Sequence, residues 1–179
     1  MSLKYPKYRW IYWNAPEKDC MLLYDLILKN GYTNALEIGT STGRSAIWIA
    51  RALNETGGKL ITIEIDEGRF HTALNNFKQE GLDRVIDARL ADAHRLVAEL
   101  KTRIDFVFSD ADKDWYTNYF IALSSILEKG GCYTAHNVLW SWHSGIKKFL
   151  DYVQSLPNFS TTINKASQEG LSISYKSSE

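Results

Sequence analysis

Eleven residues constrain this chain more than any others: Ala35 to Ser45, reading A-L-E-I-G-T-S-T-G-R-S. The apolar run Ala35-Leu36-Glu37-Ile38 breaks at Gly39 and passes through three small hydroxyl residues to Gly43. A helical apolar pattern then begins, with Ser45, Ala46, Ile47, Ile49, Ala50 and Leu53. Strand, glycine turn and helix in that order is how open α/β sheets build a nucleotide site. Gly39 and Gly43 let the backbone come close to a ligand, and the helix N-terminus offers unpaired N–H groups.

The rest of the chain repeats the alternation. Pro16 and Glu17 open a helix that runs through Met21, Leu22, Leu26 and Ile27 to Asn30-Gly31, with Pro suited to the first turn and Gly to the stop. Lys59–Glu64 reads as a second strand, and Phe70, Ala73, Leu74 and Phe77 as an amphipathic helix ended by Gly81. A strand at 85–90, a helix at 93–100 and a strand at Ile104–Ser109 follow. Tyr116, Tyr119, Phe120, Leu123 and Leu127 predict a helix closed by Gly130-Gly131, then a strand at 132–135. Ile146, Phe149, Leu150 and Val153 predict the last helix, broken by Pro157. Phe159–Ile163 and Leu171–Tyr175 alternate with no helix between them, which predicts an antiparallel hairpin. Five strand–helix repeats imply a doubly wound, mostly parallel sheet of Rossmann-like α/β class with helices on both faces.

With 179 residues, 45% of them hydrophobic and 23% charged, the chain is sized for one domain with a sizeable core. We take residues 16–179 as that domain. Residues 1–15 are set apart by Tyr5, Tyr8, Trp10, Tyr12 and Trp13, a segment for packing, for a lid or for contact in a homodimer. Lysine plus arginine and aspartate plus glutamate both number 21, so no net charge argues for nucleic acid or an anionic membrane. No run reaches the roughly 18 apolar residues of a membrane span. Cys20 and Cys132 lack C-x-x-C spacing and read as buried reduced thiols, so the expected location is cytoplasmic.

In a sheet of this kind ligands bind outside the carboxyl ends of the strands. Those ends are Gly39, Glu64, Ala91-Asp92, Asp110-Ala-Asp112 and His136-Asn137. Glu64 follows Gly43 by 21 residues, close to the spacing at which an acid takes ribose hydroxyls; its alternative use is to cap the next helix. A P-loop is disfavoured because Arg44 stands where lysine is required, and a dinucleotide fold because Ser41 stands where glycine is wanted. A ribose-bearing ligand without phosphates remains. S-adenosylmethionine fits that description, and its ammonium suits acids such as Glu37, Asp110 or Asp112.

The segments E-I-G-T-S-T-G-R-S-A, T-I-E-I-D, D-A-D-K-D-W-Y and H-N-V-L-W resemble the ordered motifs of class I S-adenosylmethionine-dependent O-methyltransferases. The branch is that of the catechol and caffeoyl-CoA O-methyltransferases, and the resemblance runs from about Pro16 to Lys176. It implies a seven-stranded sheet whose last strand is antiparallel. It further implies that Glu37, Gly39, Thr40 and Ser45 line the methionine end of the donor, that Glu64 holds the ribose, and that Ala93 and His94 lie along the adenine. Asp112 would face the donor's ammonium, Asp110 would ligate a divalent metal, and Lys113 would be general base for the acceptor hydroxyl. On charge alone, Lys113 also reads as a solvated lysine opening a helix.

One departure bears on the chemistry. Relatives with a metal usually carry Asp-Asn where this chain has His136-Asn137. The metal set would then be Asp110, His136 and Asn137, poorer in hard oxygen than Mg²⁺ or Ca²⁺ prefers. Three readings stay open, in order of preference. Metal is absent and His136 is itself a base; a softer ion accepts the imidazole; or catalysis is lost. The expected function is methyl transfer from S-adenosylmethionine to a hydroxyl of a small, aromatic acceptor; Trp140, Trp142 and His143 read equally as walls of its pocket and as core or interface rings. The alternative is a non-catalytic protein that binds the donor and regulates or scaffolds a partner.

Overall fold

The computed structural model describes residues 14–177. The aromatic run Tyr5 to Trp13 lies outside the described residues. Helix α1 (Glu17–Asn30) opens after Pro16, carries Glu17 and Asp19 in its first turn and Lys29 in its last, and stops at Gly31 in the left-handed region. It is followed by β1 (Asn34–Ile38), α2 (Arg44–Thr56), β2 (Lys59–Glu64), α3 (Glu67–Gln79) and β3 (Ile86–Leu90). Next come α4 (Ala93–Glu99), β4 (Ile104–Ser109), a 3-10 turn at Lys113–Trp115, α5 (Tyr116–Ser124) and β5 (Leu127–His136). The chain closes with α6 (Ser144–Ser155), β6 (Phe159–Asn164) and β7 (Leu171–Lys176).

The strands form one seven-stranded sheet in the order β3-β2-β1-β4-β5-β7-β6. The first five are parallel. β7 runs antiparallel to β5, with Thr134 opposite Ile173, and β6 pairs antiparallel to β7 as the expected hairpin. Because side chains alternate along a strand, β4 feeds two cores. Phe106 and Phe108 pack with α1, α2 and α3, while Val107 joins the layer of α4, α5 and α6. In that second layer Phe120 packs edge-on to Tyr133 and Phe159 at 4.9 Å each. Cys20 and Cys132 are buried free thiols, as expected.

Two expectations need correction. Leu74 is 38% exposed, and Asn76 takes its place on the buried face of α3 with Ala73 and Phe77. The helix predicted through Leu127 ends instead at Ser124, and Leu127 begins β5. The reason is tertiary. Lys176 Nζ donates to the carbonyls of Ser124 and Leu127 at 2.7 Å, so a side chain from β7 meets carbonyls left unpaired where α5 stops. Gly130-Gly131 then serve a register shift in β5 rather than a helix stop.

Candidate active site

The order of the strands reverses between β1 and β4, so a cleft opens where the loops after these two parallel strands part. Its volume is about 750 Å³, and all five parallel strand ends contribute: Gly39 and Ser41, Glu64, Ala91 and Asp92, Asp110 to Lys113, and His136 with Asn137. Gly39 has φ 97°, and a Cβ there would stand 2.6 Å from the Asp110 carbonyl oxygen. Only glycine lets β1 and β4 end this close together. Two non-glycine residues on the rim, Ser41 (φ 51°) and Asn137 (φ 58°), also hold left-handed backbone, a strained state that concentrates at functional sites.

Glu64 serves both uses read from its spacing. Its Oε1 accepts the N–H groups of Ile65 and Asp66, at the head of α3, while its Oε2 accepts the Ser41 N–H at 2.7 Å. The carboxylate therefore ties the β1 turn to the end of β2 and lines the cleft. Oε2 retains a lone pair for a further donor.

Glu37, Thr40 and Ser45 lie beneath the turn and do not line the cleft. Glu37 shares the α2 side of β1 with Ala35, and there Ser45 and Thr62 hydroxyls donate to its two oxygens while Thr40 meets Thr62. Burial pushes the Glu37 carboxyl up to about 8, against the pull of those two hydroxyl bonds. Gly43 does not line the cleft either, and a Cβ there would meet the Phe77 ring at 2.5 Å.

On the opposite wall Asp92 caps α4 by accepting the His94 N–H. The His94 ring stacks on Trp115 at 3.8 Å and 12°, and its Nε2 stands 3.3 Å from Asp112 Oδ2. With Ala93 and Tyr119 this makes a flat, half-open wall.

At the floor lies a line of four charged or ionisable groups. Lys113 Nζ donates to Asp110 Oδ1 at 2.7 Å. Asp110 Oδ2 meets His136 Nδ1 at 3.2 Å, and His136 Nε2 meets Asp19 Oδ2 at 2.9 Å. Burial works to lower the His136 pKa, but the carboxylates of Asp110 and Asp19 outweigh it and push it up to about 9. Burial works to raise Asp110, and the positive His136 and Lys113 outweigh that too, holding it below the usual carboxylate range.

The donors of this arrangement bear on the metal question. Both oxygens of Asp110 are taken, one by an ammonium and one by the ring, and each ring nitrogen faces a carboxylate. Asp110, His136 and Asn137 therefore do not fit a divalent ion as arranged. Among the described residues no group of three or more His, Cys, Asp or Glu side chains is disposed to hold one. The same contacts set a carboxylate against each ring nitrogen of His136.

The cleft thus brings together Gly39, Glu64, Ala93, His94, Asp110, Asp112, Lys113, His136 and Asn137 from the residues read in the sequence, together with Trp140. Trp142 is 76% exposed and stacks on Trp140 at 5.6 Å. Asp19 was missed. Its signal was present, since it heads the buried stripe Asp19, Leu23, Ile27 of α1, and an acid on an apolar stripe needs a buried partner.

Residues 5–149 match a family model described as O-methyltransferase. Catechol O-methyltransferase of Niastella koreensis is 38% identical over 110 residues, covering 59% of this chain and 49% of that protein. Caffeoyl-CoA O-methyltransferase of Medicago sativa is 31% identical over 145 residues, covering 74% and 57%. The chain spans about half the length of these curated relatives. An O-methyltransferase from Bacillus cereus, crystallised in complex with S-adenosylhomocysteine, superposes with a TM-score of 0.83 at 26% identity, covering 91% of this chain and 82% of that one. The O-methyltransferase TomG of Streptomyces achromogenes, solved with S-adenosylmethionine, shares the fold with a TM-score of 0.82 at 22% identity, covering 92% and 82%.

Proposed function

Since the chain belongs to the O-methyltransferase family, we propose that it transfers a methyl group from S-adenosylmethionine to a hydroxyl of a small aromatic acceptor. The observation that carries this reading is the placement of Glu64 and the Asp110–Lys113 pair on opposite sides of one cleft at the β1/β4 reversal. When bound, the donor supplies a methyl carbon on a cationic sulfur.

The residues divide the work. Glu64 Oε2 takes ribose hydroxyls with the lone pair left beside its bond from Ser41. The His94–Trp115 stack offers a flat face to the adenine. Asp112 meets the ammonium, and Gly39 lets β1 and β4 end close together beside it. Glu37, Thr40 and Ser45 act one layer below, fixing the turn. At the acceptor end, Lys113 is held by Asp110 with only a small part of its side chain open to the cleft. A phenol is mostly protonated at neutral pH; Lys113 helps either as a cation that favours the oxyanion or, once it has lost its own proton, as the base that takes the phenol's, and these are two distinct roles. Trp140 walls the acceptor pocket.

Calorimetry with S-adenosylhomocysteine tests the reading: binding should be saturable and lost in Glu64→Ala, and no binding at millimolar ligand would sink it. Binding without turnover on a panel of catechols and related phenols would favour the non-catalytic alternative. The same reading takes the protein as cytoplasmic, supported by its two buried free thiols. It also takes it as a homodimer, with exposed Trp142 supplying apolar surface to a second copy; sedimentation velocity checks this. Among the described residues no helix is long and apolar enough to cross a membrane.

A further inference from the structure

We propose that Asp19 is a positioning residue of this site: by holding His136 against Asp110, it makes the imidazole ring, and not a divalent cation, the bridge between the two carboxylates. Nothing in the motifs assigns Asp19 a role. Yet its side chain is 1% exposed and that of His136 3%, and a carboxylate so deeply buried is costly unless paired. Its partner is the Nε2 of a residue at the end of β5, 2.9 Å away. The ring's other nitrogen faces Asp110 at 3.2 Å, and Asp110 in turn holds Lys113 at 2.7 Å. Acid and nitrogen base alternate along this line, so every carboxylate has a donor on it.

Ring and ion exclude each other. A hard divalent cation binds oxygen at about 2.0–2.6 Å, so two carboxylates that share one must bring oxygens to within about 5 Å. An imidazole hydrogen-bonded at both nitrogens keeps them on opposite sides of a five-membered ring. Neutral imidazole carries one N–H, so one of the two contacts would set lone pair against lone pair; the doubly protonated ring satisfies both. In consequence Asp110 is oriented from two sides and its second oxygen presents Lys113 to the cleft. This consequence rests on the methyl-transfer reading; the exclusion of the ion does not.

Titrating the protein with Mn²⁺, followed by the electron paramagnetic resonance of the free ion, tests the exclusion without any acceptor. We expect no saturable site in the wild type below about 1 mM. His136→Asp removes the ring and adds a carboxylate, and should tighten Mn²⁺ at least about tenfold. Adding Asp19→Asn to that variant should take back most of the gain, because Asp19 faces the same space. One equivalent of Mn²⁺ bound tightly by the wild type and lost in His136→Ala would overturn the proposal. The positioning role has its own signature. Proton NMR should show two exchange-protected ring N–H signals of His136, and Asp19→Asn should remove the one on Nε2; unchanged ring signals would refute Asp19's part. If Asp19→Asn fails to fold, the His136→Asp titration decides alone. S-adenosylhomocysteine calorimetry on the same samples reports on the methyl-transfer reading separately, so either can fail without the other.

Discussion

Asp19 and His136 are 117 residues apart in the chain and 2.9 Å apart in the fold. One sits in the first turn of α1, the other on the last residue of β5, and their contact pins the N-terminal helix to the floor of the cleft. Asp110 and Lys113 extend it to the surface where an acceptor would lie.

Gly39→Ala should destabilise the fold by about 2–4 kcal/mol, the sum of a left-handed backbone penalty and a clash with the Asp110 carbonyl 2.6 Å away. Gly31→Ala is the control. Gly31 has a similar φ of 67° with nothing within 4 Å, and should cost only about 1 kcal/mol. Urea denaturation of both variants checks the difference; equal costs would mean that β1 and β4 can part without penalty.

Glu37→Gln should change how stability depends on pH. The folded pKa of about 8 exceeds the ordinary value of 4.5, so between these the folded protein keeps a proton that the unfolded chain has lost. Stability contributed by the protonated carboxyl is therefore complete below 4.5 and falls as pH rises toward 8, by up to about 1.4 kcal/mol per pH unit. Glutamine cannot ionise. His136 contributes a fall in the same direction between 6.5 and about 9, but in both proteins, so the difference between their stability curves isolates Glu37. A flat difference curve would remove the assignment.

Lys113→Met should lower turnover about 10²- to 10⁴-fold, the range for loss of a general acid–base group, and act on kcat more than on KM. Lys113→Arg separates two roles. Arginine keeps the charge beside Asp110 but does not give up its proton. If proton transfer matters, activity stays low; if only the charge matters, it returns.

Trp115→Ala should weaken S-adenosylhomocysteine binding about five- to tenfold, or about 1–1.4 kcal/mol, by freeing the His94 ring from its 3.8 Å stack. Calorimetry gives the value directly. Affinity equal to the wild type would place the adenine elsewhere on the cleft wall.

How much of this was legible follows from the range of each interaction. Strand β2, strand β4 and the start of α1 were read at their true limits because apolar period and Pro, Gly punctuation act over a few residues. The helix predicted through Leu127 was misread because its end depends on Lys176, which arrives from the far end of the chain. Glu64 was readable because its spacing from the glycine turn is set within one strand–helix–strand unit. Glu37 and Ser45 are grouped with the turn by the motif, and in the fold they bond each other beneath it, because a motif records that residues cooperate and not which layer each occupies.

By itself, then, the sequence determined the alternation, the glycine turn, the antiparallel close and the row of acids at strand ends. These are local patterns whose physics is complete within a strand or a helix turn. Only the tertiary structure decided what surrounds His136. Its neighbours Asp19 and Asp110 come from the first helix and from the end of β4, far apart in the chain, and burial strengthens the two hydrogen bonds that hold the ring between them.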